Sequence, residues 1–154
     1  MLKILVPAIA AIGLVTAAAQ TQSAALDSGQ PAAVAWHLSH DGEVAKLAYG
    51  VSNSDQLALM VTCAAGATDV AVYGDVRPVA LADVNADGPM APDPLSGGDA
   101  FESIVPLSKA GLDDLSRNGR MTVRADDQTF QLAATQQERR AVDRFLAYCQ
   151  TGQV

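Results

Sequence analysis

Cys63 and Cys149 are the only cysteines in this 154-residue chain, and their positions constrain its fold more than any other feature. Leu57, Leu59, Val61 and Cys63 alternate along one face of a strand-like run. Val142, Phe145 and Cys149 recur at i, i+3 and i+7, one stripe of a helix. Both thiols therefore sit on faces that a folded chain buries. An even count, a spacing unlike any zinc pattern and an export address predict one disulfide that bolts a late helix to a sheet. Closing a loop of that length stabilises the fold by roughly 4 kcal/mol in the chain-entropy picture.

The export address is residues 1–19. Lys3 supplies a basic start, Ile4 to Ala19 carries no charge, and Ala17-Ala18-Ala19 offers the small-residue step that signal peptidases cut. A membrane anchor is the rival reading. The run is short of the roughly 20 apolar residues that span a bilayer, and Pro7 interrupts it. The expected organisation is a signal at 1–19, a flexible leader at 20–30 and one β-rich globular domain over 31–154. A periplasmic or secreted location follows, with no membrane insertion once the signal is cut.

Without Lys3 the chain has nine basic residues against seventeen acids. The excess is local. Gln20 to Ser108 contains only Lys46 and Arg77 against eleven acids, whereas Lys109 onward has seven basic residues against six acids. A field of that sign argues against nucleic acid and anionic membrane surfaces. It suits an unknown protein or cationic partner, or simply solubility.

Hydrophobic alternation predicts strands at Ala33 to Leu38, Val44 to Tyr49, Gln56 to Cys63 and Asp69 to Tyr73, with turn chemistry between them. Pro78 to Leu81 reads as an edge strand, and Phe101 to Leu107 as a further one. Ser108 is placed to cap a short helix that stops at Asn118-Gly119, with Leu107 and Leu112 as its hydrophobic staple. Arg120 to Ala125 and Thr129 to Leu132 form a hairpin. Thr135 and Glu138 have the spacing of a capping box at the start of the last helix. The expected fold class is α+β, mainly β: an antiparallel, sandwich-like sheet of six to eight short strands, one short helix and a disulfide-tethered C-terminal helix.

The long loop 82–98 is rich in Pro, Gly and Asp, and loops of this size are commonly functional or disordered. Within it, Asp83-Val84-Asn85-Ala86-Asp87-Gly88 matches the first half of a calcium loop. The second half fails, because Pro94 stands where a bidentate Glu belongs. Asp93 or Asp99 would have to complete the site by another route. An Asx-rich turn is the simpler reading, so the expected cofactor is none, with calcium at Asp83, Asn85 and Asp87 as the weaker alternative. Asp83, Asn85, Asp87, Asp93 and Asp99 together are the candidate binding loop.

His37 and His40 lie three apart, so on a continuous strand they point to opposite faces and do not share a metal. No G-x-S-x-G elbow occurs, both cysteines are structurally committed, and no pair of acids stands out for two-carboxylate hydrolysis. No catalytic residue is assigned.

Trp36, the Lys46–Gly50 run, the alternating strand ending at Cys63 and the Phe145–Cys149 run together resemble small exported bacterial proteins. Distantly, they resemble the invasion-associated locus B family and periplasmic accessory proteins of type VI secretion. That resemblance implies a periplasmic accessory protein and no reaction, and it carries over no binding residue. Periplasmic lysozyme inhibitors, also small, exported and β-rich, are a second comparison that the acidic half suits. The leading expectation is a non-enzymatic binding or accessory domain that works through loop 82–98 or the strand edge beside it. The alternatives are a small carboxylate-dependent hydrolase and an inhibitor of a basic enzyme such as lysozyme.

Overall fold

The computed structural model describes residues 33–82, 91–92 and 99–153. The expected signal and leader at 1–30 lie outside them, as do Asp83, Asn85, Asp87 and Asp93. Four strands open the domain: β1 (Val34–Asp41), β2 (Val44–Val51), β3 (Leu57–Ala64) and β4 (Asp69–Gly74). Two-residue β5 (Arg77–Pro78) and β6 (Ala91–Pro92) precede β7 (Asp99–Pro106). Helix α1 (Leu112–Asn118), strands β8 (Arg120–Ala125) and β9 (Gln128–Ala133), and helix α2 (Gln136–Thr151) follow.

Among the described residues these strands form two antiparallel sheets, ordered β1-β2-β3-β4-β7-β6 and β5-β8-β9. The mainly-β architecture with two helices is the one the sequence implies.

Hydrophobic alternation decides which face of the large sheet turns inward. Trp36, Leu47, Leu59, Val61, Val72 and Val105 occupy one face and are buried. On that face they join Leu112 and Leu115 of α1, Met121 and Val123 of β8, and Val142 and Phe145 of α2 in one core. Phe145 is fully buried. An aromatic side chain of that size contributes about 3 kcal/mol by leaving water.

Cys63 and Cys149 form the expected disulfide, with Cα atoms 5.7 Å apart. It ties the C-terminal end of α2 to the centre of the sheet, while the opposite end of the helix lies against β1. No helix among the described residues is long and apolar enough to cross a membrane.

Two local expectations are corrected. Ser108 is not a helix cap. Leu107 N–H bonds Thr68 O at 2.9 Å and Ala110 N–H returns to Leu107 O, so Leu107–Lys109 winds into a 3-10 turn. The helix begins one turn later, after Gly111, whose φ of 76° is open to glycine, and no side chain caps it. Pro78 to Leu81 is not a strand either. Pairing with β8 ends at Pro78, and Val79–Leu81 turns into a 3-10 helix that buries Leu81. The proline keeps β5 at a sheet edge, as its missing donor requires.

Candidate functional site

The hairpin β1–β2 turns at Gly42-Glu43 and closes on the pair Asp41–Val44. A two-residue turn can only close on a mutually hydrogen-bonded pair, so ladder bonds fall on Asp41, Ser39, His37 and Ala35. The amides of Val34, Trp36, Leu38 and His40 therefore face away from β2, and among the described residues β1 is the last strand of its sheet. Trp36 N–H confirms the phase, because it donates outward to Glu138 Oε1 at 2.8 Å.

Glu138 reaches that edge because its helix starts beside it. Thr135 takes an extended φ, ψ of −65°, 168°, and its Oγ1 accepts from Glu138 N–H at 3.3 Å. Glu138 Oε2 accepts in return from Thr135 N–H at 2.6 Å, which completes the expected capping box. Partial burial pushes the Glu138 pKa up. Hydrogen bonds from Thr135 and Trp36 and the charge of nearby His37 together outweigh this and hold it below its ordinary value.

An open groove of about 1270 Å³ runs along this edge and is lined on both sides of β1. On the core side it meets Val34, Trp36 and Leu38 together with Thr135, Ala141 and Arg144. On the other side it meets Ala35, His37 and Ser39 with Ala48, Met60 and Tyr73. Here the strands bring His37, Ala48, Met60 and Tyr73 into one cross-strand row. On this outer face of the sheet Ile104 is 76% exposed. Volumes of about 300–1000 Å³ suit small molecules, so this wider and shallower groove suits a polypeptide better.

The groove holds two polar features that sequence periodicity does not reveal. His37 Nε2 donates to Gly50 O at 3.2 Å, because a carbonyl can only accept, and Nδ1 lies 3.3 Å from the Ser52 hydroxyl. Trp36 packs on Tyr49 with ring centroids 5.1 Å apart. Its Nε1–H is buried and meets no acceptor among the described residues, a costly arrangement for a donor.

His40 faces the other way and meets the Tyr148 ring edge-on at 5.0 Å. The two histidines are thus on opposite faces, as their spacing implies. No group of three or more His, Cys, Asp or Glu able to hold a metal occurs among the described residues. Of the candidate binding loop, only Asp99 is described, at the start of β7 and in register with Pro92. It lies at the far end of the large sheet from β1. The groove is therefore a separate feature that the sequence did not single out. No known protein family, curated protein or solved structure matches this chain.

Proposed function

We propose that this chain is an exported, non-catalytic binding domain of the periplasm or extracellular space that holds a polypeptide partner in the groove along β1. One observation carries the reading: the groove opens on both sides of a sheet-edge strand whose outward amides have no strand beside them among the described residues. The disulfide supports an oxidising compartment.

The hydrolase alternative draws less support. A two-carboxylate hydrolase needs one acid with a raised pKa. Glu138, on the groove wall, is shifted the opposite way and already serves Thr135 and Trp36.

The test compares capture from periplasmic extract by the disulfide-bonded protein and by an Ala48→Arg variant. Ala48 is half-buried on the groove floor, so an arginine there fills the space and extends into solvent. Retention of the same partner by both proteins, with unchanged melting temperatures, would remove the groove as the working surface. Loss of the partner from the variant alone is the expected result.

A further inference from the structure

The groove has room on both faces of an edge strand, and that is the space an added strand needs. Successive side chains of an extended peptide point to opposite faces, while its backbone lies in the plane of the sheet. Val34, Leu38 and His40 present outward backbone groups in that plane, and Trp36 adds its carbonyl. At Trp36 N–H the Glu138 carboxylate already stands where the carbonyl of an added strand would sit.

The rim has a sign as well. Among the described residues, Asp55, Asp75 and Glu138 line the groove against a single arginine, Arg144. Asp55 and Asp75 are exposed, and so are free to meet a charge on an incoming chain.

We infer that β1 captures an extended, lysine- or arginine-bearing polypeptide segment by strand addition, with a carbonyl of the segment replacing Glu138 Oε1 on Trp36 N–H. The inference rests on the groove being the binding surface. Main-chain bonds supply affinity in this mode, and alternate side chains supply selectivity. The released Glu138 carboxylate then faces a cationic side chain of the guest.

Trp36 is the only tryptophan of the chain and reports directly on its own edge. The probe is the blocked heptapeptide Lys-Val-Lys-Val-Lys-Val-Lys, titrated into the oxidised protein while Trp36 emission is followed. A saturable shift is expected. The peptide with Glu in place of every Lys should bind at least tenfold more weakly, and an Asp55→Asn/Asp75→Asn variant should narrow that gap.

Two further peptides carry N-methyl groups, one at every lysine and the other at every valine. Only alternate amides of an added strand face the edge. One of these peptides should therefore keep its affinity while the other loses at least tenfold. Loss in both, loss in neither, or no saturable shift with the parent peptide overturns strand addition. So does elution of the peptide-free protein as a dimer, because a second copy would then fill the edge. A partner lost on Ala48→Arg that the lysine peptide fails to displace leaves the groove reading standing and removes this one.

Discussion

Glu138 joins two parts of the chain that are remote in sequence. Its two oxygens accept from Thr135 N–H, three residues away, and from Trp36 N–H, 102 residues away. A glutamine has only one carbonyl oxygen, so Glu138→Gln leaves one of those donors facing an NH₂ group. The expected loss is about 1–2 kcal/mol at neutral pH, measured by urea unfolding. The pH dependence follows from the lowered pKa. A carboxylate with a native pKa below its unfolded value contributes fully above the unfolded range, and that contribution drains away as pH falls through the lower native pKa. The deficit of the variant should therefore shrink as the buffer is taken from pH 6 toward pH 3. A constant deficit would mean that Glu138 acts by packing. The local half of this arrangement is legible in the sequence, because a capping box is a spacing of three. The bond to Trp36 is not, since nothing in either segment announces the other.

At the scale of elements, the strands are legible because alternation is a two-residue rule that each segment carries within itself. Their ends depend on tertiary docking. Ser108 has the right residue type for a helix cap, but the bond from Leu107 N–H to Thr68 O spends its turn of chain on a 3-10 bend. A similar contest separates two glycines of the β1–β2 hairpin. Gly42 sits at the turn with φ 59° and open space around the position of a Cβ. Gly50 sits where the β2–β3 register shifts, and a Cβ there would collide with Gln56 O, the acceptor of Val51 N–H. Gly42→Ala should cost about 1–2 kcal/mol from backbone strain alone. Gly50→Ala should cost more, about 2–3 kcal/mol, and should displace the 51–56 turn that walls the groove. Thermal melts rank the two variants, and the Ser52–His37 contact is followed through the His37 imidazole resonances. Equal destabilisation, with those resonances unmoved, would show that the turn yields without strain.

For the whole molecule, the disulfide and the groove were unequally visible for a physical reason. Each cysteine lies on a face with its own periodicity, so the pairing followed from two short patterns and an expected export address. The groove is assembled from β1, the end of β2, the 52–57 turn and the start of α2. Each of those segments is unremarkable alone, while the acidic loop drew attention because composition can be read without folding. The bridge also fixes how that assembly is held. Cys63 and Cys149 are 86 residues apart, and the helix they anchor carries Glu138 at its other end, against β1. Removing the link frees a large loop in the unfolded chain, worth roughly 4–5 kcal/mol in the chain-entropy relation. A Cys63→Ala/Cys149→Ala variant also opens a small cavity beside Val142 and Phe145. Its urea midpoint should therefore fall by at least that free energy divided by the urea slope. If the bridge acts mainly on the unfolded chain, the folded variant still presents β1, α2 and the groove. Under conditions where it remains folded, it should then shift Trp36 emission with the lysine heptapeptide at near-native affinity. Loss of the peptide response in a variant whose circular dichroism is native would show instead that the disulfide positions α2 against the edge strand.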